Sequence, residues 1–275
     1  MSYTLVLNSS NVTTNKNTYV YNFISNNFTV KDNAEICVSN ITMPYSWFNV
    51  TSSYNNKSFQ FTWTVGTTST TYTITLPEGF YLISDIQNFI ELYCQTNGFY
   101  LINASGKYVY YFKLYLNSTY YSVQLLTYLV PTSLPSGYTA PSNFAGYPTT
   151  STAPSFIVLS NNFTNLIGFV AGTYGGGTSN SSINSSYTPT GSTVNSIIVR
   201  CSLVSKNVGF PSDILDSFSI NATFGSSITY YPSFEKWVKI KNGTYNNLII
   251  TFVDQNFNNI SILDPSVCVT LMIKQ

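Results

Sequence analysis

The sequence predicts an all-β sandwich. Three observations carry that prediction. Short runs alternate apolar with polar residues, turn residues separate them at close intervals, and one stretch alone has convincing helical spacing.

Tyr3, Leu5 and Leu7 alternate with polar positions and predict a first strand, and Asn8 to Asn17 is a polar loop. Thr18 to Ile24 predicts a second strand, with Tyr19, Tyr21 and Phe23 on one face. A third segment, Phe28 to Val30, leads into the stretch that organises the chain, Val30 to Trp63. That stretch opens on a buried-strand pattern (Ala34, Ile36, Val38, Ile41). It then turns through Met43-Pro44-Tyr45 and the bulky pair Trp47-Phe48. After the polar turn Tyr54-Asn55-Asn56-Lys57, it closes on a strand with Phe59, Phe61 and Trp63 on one face. Two strands joined by an aromatic corner are expected here.

Thr70 to Leu76 resumes the alternation, and Pro77-Glu78-Gly79 breaks it. The helix follows. Ser84 with Gln87 three residues on has the pattern of a capping box. Ile86, Phe89, Ile90 and Tyr93 recur at helical spacing, and Asn97-Gly98 supplies the stop. Phe99 to Ile102 and Lys107 to Leu116 predict a hairpin about Ala104-Ser105-Gly106, and Tyr120 to Val130 a further strand. A proline-rich loop spans 131–154 and cannot be sheet interior, because proline lacks the ladder donor. Its aromatics (Tyr138, Phe144, Tyr147) predict an ordered surface loop that contacts a neighbour. Phe156 to Leu159 and Phe163 to Val170 are apolar. A Gly/Ser-rich loop, 171–191, contains Gly175-Gly176-Gly177; no GK[ST] and no helix pattern follows, so it predicts a loop tip and not a phosphate cradle.

Val194 to Val204 is a strong strand pattern with Arg200 in its middle, placed to pair with Asp213 or Asp216, to face a neighbouring subunit or to sit at a solvated edge. Phe218 to Phe224 and Ile228 to Tyr231 are short strands. Trp237 to Lys241 and Leu248 to Val253 flank Asn242-Gly243, which suits a tight hairpin or a longer turn. Val267 to Ile273 is the last strand. No shift in composition divides the chain, so one domain over 1–275 is expected.

The composition narrows the function. Only 8% of the 275 residues are charged and the net charge is +1, against about a quarter charged in an ordinary soluble domain. A nucleic-acid partner would call for a basic stripe, and there is none in the sequence. The surface must be built largely from Asn, Ser, Thr and Tyr, which favours packing against other subunits; an AT-rich genome would leave the same imprint. There is no histidine, which removes the Ser-His-Asp and Cys-His schemes and the commonest metal ligand. Cys37, Cys94, Cys201 and Cys268 are widely separated and read as free buried thiols. The carboxylate pairs Asp213/Asp216 and Asp254/Asp264 have the residue types of a glycosidase, but turn caps and ion pairs account for them. The chain is expected to be no enzyme, with no metal, no cofactor and no small-molecule substrate. The N-terminus lacks the pattern of a signal peptide, and no run is long enough to span a membrane.

Several stretches, in order, carry a family likeness. They are Asn33–Val50 (NAEICVSNITMPYSWFNV), Tyr54–Trp63 (YNNKSFQFTW), Thr73–Asn103, Leu129–Pro148, Asn161–Tyr174, Val208–Ile220 and Phe252–Ile273. In these the sequence resembles the single jelly-roll penton and minor capsid proteins of large nucleocytoplasmic double-stranded DNA viruses, virophages and related transposons. The resemblance implies a single jelly-roll β-sandwich of two packed antiparallel sheets, with one short helix and long loops. It implies a structural subunit of the virion capsid, assembled in the host cytoplasm. That subunit would form homopentamers at the icosahedral fivefold vertices beside adjacent major and minor capsid proteins, with its outer loops open to a fibre or spike. The family has no catalytic residues to carry over. Intersubunit contacts are expected at the aromatic corner (Pro44, Tyr45, Trp47, Phe48) and at the proline-rich loop (Leu134, Pro135, Tyr138); for Trp47 and Phe48 the alternative is closure of the sandwich core. The competing functions are a non-vertex minor capsid protein and a receptor- or glycan-binding β-sandwich of a virion fibre.

Overall fold

A computed structural model describes residues 2–24, 27–30, 33–204 and 211–275. Lys31 and Asp32 of the organising stretch, and Val208 to Phe210 of one resembling stretch, lie outside the described residues. The strands in chain order begin with β1 (Ser2–Leu7), β2 (Thr18–Asn22), β3 (Phe28–Val30) and β4 (Glu35–Pro44). The middle of the chain holds β5 (Ser58–Val65), β6 (Thr68–Thr75), helix α1 (Ile83–Asn97), β7 (Tyr100–Ile102), β8 (Tyr108–Tyr110), β9 (Phe112–Asn117), β10 (Ser122–Thr127), β11 (Ser155–Val158), helix α2 (Phe163–Ile167), β12 (Gly172–Gly175) and β13 (Ser181–Asn184). The last part holds β14 (Ser196–Cys201), β15 (Ile214–Ser219), β16 (Ser227–Tyr230), β17 (Val238–Lys239), β18 (Gly243–Tyr245), β19 (Asn247–Asp254) and β20 (Cys268–Lys274).

By their contacts these elements form two compact units where the uniform composition predicts one domain. One unit joins the two ends of the chain, Met1–Trp47 and Val194–Gln275; the other is the continuous stretch Phe48–Thr193 between them. The boundary falls between Trp47 and Phe48, inside the segment read as strand, corner, strand. Accordingly β4 and β5 do not pair: each belongs to a sheet of its own unit.

The discontinuous unit is a jelly roll by its strand order. One antiparallel sheet runs β1-β20-β4-β16, with β17 also on β4, and the other runs β15-β14-β19-β2. Following the chain through these long strands, each step crosses from one sheet to the other except β14 to β15, which is the wrap of a two-sheet jelly roll. Alternation in the sequence sets the inner faces: Ile197, Val199 and Cys201 of β14, Leu248, Ile250 and Phe252 of β19, and Val269, Leu271 and Ile273 of β20 are all buried, with partly exposed residues between them. The register of β15 on β14 shifts between Val199 and Arg200. Leu215 and Asp216 are therefore both buried as neighbours, the re-aiming that a β-bulge produces. The Asn242-Gly243 hairpin is not formed. β17 pairs with β4, β18 with β3, and β19 with β14 and β2, so tertiary pairing overrides the local turn signal.

The continuous unit holds the sheets β12-β11-β5-β6 and β13-β10-β9 and the hairpin β7-β8, with α1 and α2. The predicted hairpin about Ala104-Ser105-Gly106 is present, with Tyr100 opposite Tyr110. Its core is built of rings. Phe59 stacks on Phe163 at 4.8 Å, and Phe61 meets Phe112 at 4.9 Å and Phe99 at 5.2 Å, edge-on to the latter. Helix α1 starts one residue before Ser84, and Asp85 rather than Gln87 reaches back to close its first turn, its Oδ2 accepting the Leu82 N–H at 2.8 Å. The stop at Gly98 is as expected, with φ 74°. The segment read as an apolar run at Phe163 is the short helix α2, closed by Gly168 at φ 74°.

Candidate functional site

The residues expected at a subunit interface divide between the two units. In the jelly-roll unit, Tyr45 follows β4 directly. Its N–H donates to Ser226 O and its carbonyl accepts from Gly225 N–H, both at 2.9 Å. Its ring lies 4.5 Å from Trp47 and edge-on to Phe224 at 5.8 Å. Tyr45 is 4% exposed and Trp47 2%, so these two rings lie in the interior of the folded chain; Pro44 is half-buried, as is Phe48, the first residue of the continuous unit. In the continuous unit, Leu134 is 46% exposed, whereas Pro135 and Tyr138 are half-buried and Tyr138 packs against the aromatic core.

The proline-rich loop is ordered by its own unit. Asn143 Nδ2 donates to the carbonyls of Gln95 and Thr96 at 3.0 Å each, capping the end of α1. Ala145 N–H donates to Gly98 O at 3.0 Å, and Trp63 Nε1 to Gly146 O at 3.2 Å.

The carboxylates flagged as candidate acids and bases are each committed to a structural partner. Arg200 pairs with Asp213, Nη2 to Oδ2 at 2.8 Å and Nε to both oxygens at 3.1 Å. Asp216, aimed inward by the bulge, accepts from Tyr230 Oη and Lys236 Nζ, both at 2.8 Å. That hydrogen bond raises the Lys236 pKa above its ordinary value. Asp254 caps a turn, accepting the N–H groups of Asn256 and Asn258 at 2.8 Å. Asp264 accepts the Ser266 N–H at 2.9 Å, and its hydrogen bonds to Ser266 lower its pKa. All four cysteines are free, and burial pushes Cys37 up to about 11 and Cys201 up to about 12, so these thiols stay protonated. Among the described residues no group of three or more His, Cys, Asp or Glu side chains could hold a metal. Gly175-Gly176-Gly177 all have φ between 70° and 79°. Gly175 turns the chain against Thr127 and Gly176 against Ser155, a close packing that a side chain would obstruct.

A feature that sequence reasoning missed lies wholly in the continuous unit. A half-open cavity of about 540 Å³ opens between the first turns of α1 and the end of β9. Leu82, Ser84, Asn88, Leu116, Tyr121 and Leu166 are among its lining residues, and no lining residue is charged. Four of the lining side chains are unusually open for their type: Leu82 at 57%, Tyr115 at 41%, Leu116 at 54% and Tyr121 at 71%. The only sequence signal for it is that Leu114 and Leu116 continue an apolar alternation past the point where the core ends.

No protein-family model matches the sequence, and no curated protein does. Among solved structures, the chain is similar to the crystal structure of the mavirus penton protein, at 12% identity and a TM-score of 0.45, over 100% of this chain and 98% of that one. It is also similar to a chain of the Sputnik virophage structure from cryo-electron microscopy, at 13% identity and a TM-score of 0.40, over 99% and 96%. The strand order, independent of these likenesses, fixes the jelly roll.

Proposed function

We propose that this chain is a structural subunit of a viral capsid and that it assembles with copies of itself as the penton of the fivefold vertices. A jelly roll alone does not specify a function, although capsids use it often. The observation that carries the reading is the surface laid over that strand order. Only 8% of residues are charged, while Tyr120, Tyr121, Tyr187, Tyr231 and Phe234 each stand more than 65% exposed. Few charges and many open rings are the composition of a surface made to be covered. A ring places one patch of a subunit against a different patch of the next, a heterologous contact. Of the residues expected there, Leu134 offers open area and Pro44, Phe48, Pro135 and Tyr138 offer part of theirs; Tyr45 and Trp47 shape the corner from within. Adjacent capsid proteins would cover what the ring leaves open, in a virion assembled in the host cytoplasm.

The test is the mass in solution, by light scattering after size exclusion. A species of about five times 30.6 kDa is expected. Leu134→Asp is expected to shift it toward monomer with unchanged circular dichroism. A trimer would favour a non-vertex capsid position or a fibre head. A monomer that stays monomeric with capsid neighbours present would overturn the proposal.

A further inference from the structure

We propose that the free edge of β9, with the cavity beside it, is a docking site for an extended, uncharged, apolar segment of a different polypeptide, which adds to the β13-β10-β9 sheet as one more strand. The inference stands on the continuous unit alone and does not depend on the capsid reading.

The argument starts from the ladder. Among the described residues β9 is the outer strand of its sheet, paired only with β10. Tyr128 N–H donates to Tyr111 O at 2.8 Å, so Tyr111, and after it Lys113, Tyr115 and Asn117, turn their backbone groups toward β10. The alternate residues, Leu114 and Leu116, turn theirs to the open side. There Leu114 N–H is taken by Gln87 Oε1 of α1 at 2.7 Å. Among the described residues, no partner meets the Leu114 carbonyl or either backbone group of Leu116. Helix α1 thus covers the first half of the edge and leaves the second half bare.

Side chains make the same point. Phe112 and Leu114 face the core and are 1% exposed each, yet Leu116, next on that face, is 54% exposed. It lines the cavity. An unpaired strand edge beside an apolar hollow is an aggregation hazard unless something covers it. A peptide strand suits both halves of the site, since it presents donors and acceptors at strand spacing to the edge and alternate side chains to the hollow. An acyl chain offers no donors, and a sugar offers none at that spacing. Because no lining residue is charged, the segment that fits is uncharged. Lys113 stands exposed on the other face of β9, where a charge does not obstruct the open side.

The probe is the capped peptide acetyl-SVTLTVS-amide, titrated calorimetrically into the full-length protein. Saturable binding is expected. A peptide of the same sequence N-methylated at alternate residues keeps the side chains but loses the donors, and is expected to bind about tenfold more weakly or not at all. Leu116→Pro removes the open N–H beside the cavity, at a position the β9–β10 ladder does not use, where proline is tolerated. It is expected to weaken the unmodified peptide about tenfold with an unchanged unfolding temperature. Asn88→Trp, on the exposed side of α1, fills the mouth and is expected to do the same. No saturable binding at millimolar peptide, equal binding of the N-methylated peptide, or an unchanged affinity in both variants would each overturn the proposal. The oligomer mass of Leu116→Pro is expected to match the parent. If that mass falls, the strand comes from a second copy of this chain and the assignment to a different polypeptide is overturned.

Discussion

The two units reach a buried core by different means. In the jelly-roll unit the interior is mainly aliphatic, with Leu7, Ile36, Val38, Ile41, Val199, Ile250, Leu271 and Ile273 in alternating register on long strands. In the continuous unit it is mainly aromatic, with Phe59, Phe61, Trp63, Phe99, Phe112, Phe156 and Phe163 in mutual contact. Long paired strands present a regular pleated face that β-branched side chains fill. Sheets packed together with helices present less regular faces, and large rings fill such a core with few residues. Polar ties differ in the same way. The jelly-roll unit uses charges, with Asp216, Tyr230 and Lys236 bridging β15 to the strand of the opposite sheet and its following loop. The continuous unit has the Lys57–Glu78 pair at 3.8 Å and otherwise uses asparagine amides as substitute backbone. Asn49 donates to Tyr81 O and Gly191 O at 2.9 and 2.8 Å, and Asn56 donates to Asn49 O at 2.7 Å. A chain with few charges keeps its loops ordered largely through neutral donors and acceptors.

The sharpest way to break this comparison is to hollow each core separately. Phe61→Ala removes a ring that touches four others in the continuous unit, at a cost of about 3–5 kcal/mol. Leu271→Ala does the same in the jelly roll, at about 2–5 kcal/mol. Buried thiols supply a separate readout for each: Cys94 lies in the aromatic core and Cys201 in the jelly roll. If the units open independently, Phe61→Ala accelerates alkylation of Cys94 and leaves Cys201 at its native rate, and Leu271→Ala does the reverse. Equal acceleration of both thiols by either substitution would mean a single cooperative structure, and the distinction drawn between the cores would then be one of composition only.

A second test bears on the order of the proline-rich loop. At Gly98 a Cβ would lie 1.9 Å from the Asn143 carbonyl oxygen, at a φ of 74°. Gly98→Ala therefore sets a left-handed residue, costing about 1–3 kcal/mol, against a backbone that must also move. The expected result is loss of the Asn143 cap and protease cleavage within residues 131–154, with Cys201 still protected. Cleavage no faster than in the parent would show that other contacts hold the loop.

These tests also show how far the residues speak for themselves. The strands were legible where alternation is strong, as at Phe59-Phe61-Trp63 and at Val269-Leu271-Ile273, because one buried face forces the period. The free cysteines and the Gly98 stop were legible for equally local reasons. The unit boundary was not, since Trp47 and Phe48 are adjacent aromatics and the composition is the same on both sides. Nor was the fate of Asn242-Gly243, because β4 and β3 compete for the strands that would have made the hairpin. Helix α2 is five residues long, too short for a period to register. Of the expected interface residues, Leu134 is exposed while Tyr45 and Trp47 are buried; a lone aromatic in a sequence does not reveal which side of the surface it takes. The bare end of β9 depends on where α1 stops covering an edge, a purely tertiary matter.

The smallest expected effect concerns the charged tie in the jelly roll. Asp216 is buried, but Lys236 keeps much of its side chain in water, so Asp216→Asn leaves a solvated ammonium and not a stranded one. Loss of the charge-assisted hydrogen bonds is expected to cost about 1–2 kcal/mol at neutral pH. The sign of the pH dependence follows from the raised Lys236 pKa. The folded protein holds that proton more tightly than the unfolded chain does, so the contribution is complete below the ordinary lysine value and fades as pH rises through the higher folded value. In the parent, chemical denaturation midpoints should therefore fall across the alkaline range. In Asp216→Asn the fall should be shallower, because the pair that raised the pKa is gone. Buried thiols add a decline of the same sign in both proteins, since Cys201 stays protonated up to about 12 when folded but ionises earlier when unfolded. Only the difference between the two proteins reports the tie. If the two alkaline profiles run parallel, Lys236 contributes nothing through its charge, and the bridge between the sheets rests on the Phe218–Tyr230 stack at 4.6 Å instead.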